Sequence, residues 1–451
     1  MHTLEQLKSG QLSGVARLHL AENLSVFPTE IFELADTLEV LDLSNNQLDS
    51  LPDDFGRLHK LNILFLSNNC FTELPSVIAD CPKLEMIGFK ANQIVSIAED
   101  ALPKQTRWLI LTDNKIERLP DSMGDLYRLQ KLALAGNRLT HLPASMANCQ
   151  RVELARLSAN RLTSLPDWLF QLPNLAWLAI AGNGLIDGNP IKPKNKPTIV
   201  HVKLSDIELG EQIGEGASGV IYRAKWLAQP TCLQGQSLDI AVKLFKGEVT
   251  SDGYPDDELS TCLQAGDHHN LIKVIAQIDD EGQLGLVMAL IPTSFSNLGL
   301  PPNLLTCTRD TFAEQTEFRL TTMMNITRQM ALVMAHLHAH GVSHGDLYAH
   351  NTMLDNADSI LLGDFGAASD LLLLPRHQRE AMESIEVRAL GCLLDDMLKQ
   401  TKQVNVQHGI VTAEGFEKLR SLSQACMQGL LSMRPKFTDI ASQLDALCSE
   451  I

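Results

Sequence analysis

At 451 residues the chain is too long for one ordinary hydrophobic core, and 45% hydrophobic with 20% charged residues is the composition of a folded protein. A formal charge of −17 argues against nucleic acid or an anionic membrane surface as the main partner. No run approaches the ~20 apolar residues that span a bilayer, and the Met1-His2-Thr3-Leu4-Glu5 start has neither a basic region nor an apolar core.

The charge is uneven. Residues 1–200 carry 19 Lys+Arg against 22 Asp+Glu, and residues 201–451 carry 18 against 32. The nine cysteines form no CxxC pair and their number is odd, which predicts reduced thiols in a cytoplasmic protein.

Asparagines recur at 23, 46, 69, 92, 114, 137, 160 and 183, every 23 residues but for one step of 22. The frame around them is Leu-x-x-Leu-x-Leu-x-x-Asn-x-Leu-x-x-Leu-Pro, as in Leu38-Leu41-Leu43-Asn46-Leu48-Leu51-Pro52. It resembles the leucine-rich repeat family over roughly residues 12–190. Each unit is a short strand plus a returning segment that cannot bury its leucines without neighbours. The Asn side chains are expected to stack as a ladder on backbone groups, a structural role.

The variable strand positions of such a horseshoe form its concave face. Val40, Ile63, Phe65, Trp108, Ile110 and Trp177 give that stripe an apolar character and mark it as an expected partner surface. Its occupant would be another protein or the chain's own C-terminal domain.

Gly188-Asn-Pro-Ile-Lys-Pro-Lys-Asn-Lys-Pro197 reads as a semi-rigid basic joint. The expected organisation is therefore a repeat domain over 1–190, a linker over 191–204 and a second domain over 205–451.

The second domain opens on Ile213-Gly214-Glu215-Gly216-Ala217-Ser218-Gly219-Val220-Ile221, whose glycines let backbone N–H groups approach phosphates. A lone GxGxxG also fits a dinucleotide fold. The next segment, Ile240-Ala241-Val242-Lys243, reads as a strand carrying a lysine, and no helix signal directly follows the glycines. Farther on stand His344-Gly345-Asp346-Leu347-Tyr348-Ala349-His350-Asn351 and Asp364-Phe365-Gly366.

Together these motifs, in this order, resemble the eukaryotic-type protein kinase family over about residues 205–445. The expected architecture is an α/β leucine-rich repeat horseshoe followed by an α+β bilobal kinase-like domain. A fusion with no membrane span resembles soluble bacterial kinases more than plant receptor kinases. The resemblance implies ATP with Mg²⁺ or Mn²⁺. ATP would lie against Ile213, the glycine loop, Ile221, Ala241 and Lys243, with Met288, Ala289 and Ile291 at the adenine. Lys243 would be oriented by Glu258, with Asp257 as runner-up. Asp346 would act as catalytic base, and Asn351 and Asp364 as metal ligands.

Four departures from the family pattern stand out. Gly345 replaces the arginine that usually precedes the base, so activation through an arginine–phosphate contact is not expected. Tyr348 stands where many serine/threonine kinases have a lysine, and His350 where tyrosine kinases often have an arginine. Only 19 residues separate Gly366 from Glu386, with Glu380 or Glu383 as the expected partner of Arg434. Glu386 begins a segment like the family's Asp-Val-Trp-Ser-x-Gly helix start. The leading expectation is a serine/threonine kinase whose repeats recruit or gate its substrate. A nucleotide-binding pseudokinase scaffold, and a kinase with a tyrosine or small-molecule acceptor, are the alternatives.

Overall fold

The computed structural model describes residues 2–185, 199–216, 218–246, 250, 252–280, 282–401 and 410–450. They form two compact units. The first runs to Leu175 and includes Asn183–Leu185; the second contains Ala176–Gly182 and the described residues from 199 onward.

In the first unit, helix α1 (Leu4–Lys8) is opened by a capping box between Thr3 and Gln6. Seven three-residue strands follow: β1 (Arg17–His19), β2 (Val40–Asp42), β3 (Ile63–Phe65), β4 (Met86–Gly88), β5 (Trp108–Ile110), β6 (Lys131–Ala133) and β7 (Leu154–Arg156). They pair in parallel, residue for residue, so that Leu18, Leu41, Leu64, Ile87, Leu109, Leu132 and Ala155 lie in one buried row. The returning segments are short 3-10 turns, such as Ser76–Asp80 and Ala144–Asn148, entered through Pro75 and Pro143. Where a proline closes the repeat frame, as Pro75 and Pro143 do, it presets φ for that turn.

The asparagine ladder has the expected structural role. Asn137 accepts from the Ile116 N–H at 3.0 Å and donates to the carbonyls of Leu111 and Leu134 at 2.9 and 3.0 Å. Leaving one such buried group unsatisfied costs about 1–3 kcal/mol.

The apolar stripe is less open than its sequence suggests. Ile63 and Trp177 are buried, and Val40, Phe65, Trp108 and Ile110 are only partly exposed. The stripe packs along itself: the Phe65 ring fills the space above Gly88, and the Lys131 ammonium lies 4.3 Å from the Trp108 ring centre.

The second unit begins with β8 (Trp177–Ala179), in the segment Ala176–Gly182. Its main sheet joins β9 (Val200–Val202), β10 (Ile207–Glu215), β11 (Gly219–Trp226), β12 (Asp239–Phe245), β13 (Val274–Asp280) and β14 (Gln283–Ala289) in the order β10-β11-β12-β14-β13-β9. Strand β9 lies inside the stretch expected as linker 191–204 and pairs in parallel with β13, so the sheet starts before residue 205. The proline-rich run Gly188–Pro197 falls outside the described residues.

Side-chain alternation divides β12. Ile240 and Val242 enter a core with Val202, Ile207, Trp226, Ile278 and Val287, while Ala241 and Lys243 face the opposite side. Helix α2 (Pro255–Ala265) starts with proline at its first turn and three acids, Asp256, Asp257 and Glu258, where the helix dipole favours negative charge. The remaining helices are α3 (Leu320–Ala339), α4 (Arg376–Lys399), α5 (Ile410–Cys426) and α6 (Phe437–Glu450). Among the described residues no helix is long and apolar enough to cross a membrane.

Candidate active site

A cavity of about 960 Å³ opens between the main sheet and the loops before α4. Ile213, Gly214, Glu215, Gly216, Ser218, Gly219 and Ile221 line it from β10, β11 and their turn. Ala241, Lys243, Met288, Ala289 and Ile291 line it from β12, β14 and the residues that follow. Glu258, Asn351 and Asp364 complete the wall. Ala217 lies outside the described residues. The Glu215 carboxylate is taken by Lys246 and by Gln212, so this residue offers the cavity its backbone.

Lys243 Nζ forms an ion pair with Glu258, both nearly buried. Burial opposes the lysine's charge, but the carboxylates of Glu258 and Asp364 outweigh it and raise its pKa. Burial also raises the pKa of Glu258, with Lys243 acting against that rise. The runner-up Asp257 makes no such pair; its Oδ2 is buried with no hydrogen-bond partner among the described residues.

Asp346 and Asn351 are joined directly. The Asn351 amide nitrogen donates to the Asp346 carboxylate at 2.9 Å and to its carbonyl at 3.0 Å. This leaves the Asn351 side-chain oxygen as a donor for a cation. Asp364 is exposed in the cleft, with left-handed backbone. An amide oxygen and a carboxylate are hard ligands that suit Mg²⁺ or Mn²⁺. Asp346 itself is partly buried and does not line the cavity.

Other residues hold this loop. Glu386 accepts from the Gly345 N–H at 2.6 Å and meets His338 at 2.5 Å. His338, a partly buried residue of α3, thus helps to hold this loop. Asp310 accepts from the Ala349 N–H at 2.6 Å and contacts His350 Nδ1 at 2.8 Å. Asp310 carried no motif by which sequence reasoning could have found it. His344 contacts the Gly363 carbonyl at 2.9 Å, and its ring centre lies 5.3 Å from that of Phe365.

The departures have structural counterparts. Helix α4 starts at Arg376, ten residues before the expected Glu386 start, which leaves only Ala367–Pro375 after Gly366. Glu380 pairs with Arg376, while the Arg434 guanidinium donates to the carbonyls of Gln428 and Ser384. His350 lines the cavity; Tyr348 is buried away from it.

A glycine-lined cleft with a Lys–Glu pair, an interlocked Asp–Asn and a further Asp is the arrangement of a protein-kinase domain. Residues 207–404 match the family described as protein tyrosine and serine/threonine kinase, and residues 13–71, 36–94 and 127–185 match leucine rich repeat. The chain thus carries leucine-rich repeats followed by a protein kinase domain.

The chain is 30% identical over 172 residues to the activated Cdc42 kinase Ack of Drosophila melanogaster, covering 37% of this chain and 14% of that protein. It is 24% identical over 229 residues to the epidermal growth factor receptor of Apis mellifera, covering 49% and 16%. It is 25% identical over 164 residues to the mitogen-activated protein kinase kinase kinase ANP1 of Arabidopsis thaliana, covering 36% and 23%. The chain thus spans less than a quarter of the length of each of these relatives.

Proposed function

We propose that this chain is an active protein kinase that moves the γ-phosphoryl group of ATP onto a serine or threonine hydroxyl of a protein. The observation that carries the reading is the convergence of the Lys243–Glu258 pair, Asn351 and Asp364 on one cleft, with Asp346 hydrogen-bonded to Asn351. Lys243 holds the α- and β-phosphates. The acceptor oxygen bonds to the γ-phosphorus, the bond from that phosphorus to the bridging oxygen breaks, ADP leaves, and Asp346 takes the hydroxyl proton. Mg²⁺ held by Asn351 and Asp364 supplies charge neutralisation when bound.

Incubation of the full chain and candidate protein substrates with Mg–ATP, followed by phosphosite mapping, tests this reading. Phosphoserine or phosphothreonine is expected. Phosphotyrosine alone would overturn the acceptor assignment, and saturable ATP binding without transfer would favour a scaffold.

The partly exposed Val40, Phe65, Trp108 and Ile110 support a protein-docking role for the repeats. Alanine at both Phe65 and Trp108 should raise KM for a protein substrate about tenfold and leave KM for ATP unchanged. An unchanged protein KM would count against docking there.

A further inference from the structure

We propose that the segment Ala176–Gly182 is a built-in strut that positions the catalytic loop, the residues after Asp364 and the start of α2, with Trp177 as its main positioning residue. The proposal rests on the kinase reading above. By sequence this segment continues the repeat frame, yet it clusters with the kinase unit.

The Trp177 indole lies parallel to the Tyr348 ring, with centres 4.6 Å apart and planes 5° apart. Its Nε1–H donates to the Leu347 carbonyl at 3.0 Å. Leu347 directly follows Asp346, so the stack and the hydrogen bond fix the backbone that aims the base. The Ile180 N–H donates to Ser369 Oγ at 3.1 Å, three residues beyond Gly366. Gly182 has φ +70, and a Cβ there would lie 2.7 Å from Asp257 Oδ2 and from the Tyr254 ring, at the beginning of the helix that carries Glu258.

One short segment therefore meets all three parts whose placement sets Asp346, Asp364 and Glu258. It does so in a structure where the Lys243–Glu258 pair is formed. The chain has no arginine at 345 to read an activating phosphate, and the stretch before α4 is short. The strut supplies the missing order through packing.

The test compares full-length Trp177→Ala and Trp177→Phe with the parent, by steady-state kinetics and by hydrogen exchange over residues 345–351 and 367–375. Trp177→Ala should lower kcat at least tenfold with little change in KM for ATP, because no residue of the segment lines the ATP cavity. Exchange in both stretches should rise. Trp177→Phe keeps a ring but loses the N–H donor, and should recover much of the loss. Parental kcat and exchange in both variants, or a kcat raised by Trp177→Ala, would overturn the proposal. If the alanine variant does not fold, the phenylalanine variant decides: loss of the N–H donor to Leu347 should still raise exchange over 345–351, and parental exchange there would overturn the proposal. Exchange reports on the strut even if the parent transfers no phosphate, so failure of the kinase reading is distinguishable.

Discussion

Putting the family's usual arginine back at position 345 is expected to damage this protein. Gly345 has φ +73, which side-chain-bearing residues adopt at a cost of about 1–2 kcal/mol. A Cβ there would also lie 2.4 Å from the Ala367 carbonyl oxygen and 3.1 Å from that of Leu178. Backbone on both sides must move, and the Gly345 N–H that is anchored to Glu386 moves with it. Gly345→Arg should lower stability by about 3 kcal/mol in urea unfolding. Displacing Asp346 by even about 1 Å should reduce kcat about 100-fold. A folded Gly345→Arg variant with parental turnover would show that the loop is not packed as described.

Removing Lys243 separates stability from chemistry. Lys243→Met leaves Glu258 buried without its partner, and breaking a buried pair on one side costs about 3–5 kcal/mol. Glu258 can relieve part of that cost by taking up a proton, since burial already raises its pKa. The double variant Lys243→Met with Glu258→Leu should regain most of the stability, because it removes both charges from an apolar setting. It should not regain phosphoryl transfer. Thermal unfolding and turnover of the single and double variants check the two halves of this expectation independently.

The repeat frame and the kinase motifs were legible because their information is local. The asparagine period sets a parallel register, and Lys243, Asp346, Asn351 and Asp364 stand in short recognisable strings. The anchors were not legible. Glu386 reaches Gly345 across 41 residues, Asp310 reaches Ala349 across 39, and Trp177 reaches Leu347 across 170. Such pairings depend on the folded path of the chain. How open the apolar stripe is was not legible for a related reason: periodicity gives the face of a strand, but neighbouring side chains decide how much of it stays exposed.

The central claim is that Asp346 serves chemistry at an otherwise complete nucleotide site. Its most direct test is γ-phosphoryl transfer from Mg–ATP by the parent beside Asp346→Asn, with ATP binding measured on both. Transfer should fall by about 10²–10⁴-fold in the variant while ATP affinity is kept. Equal transfer by the two proteins would contradict the claim.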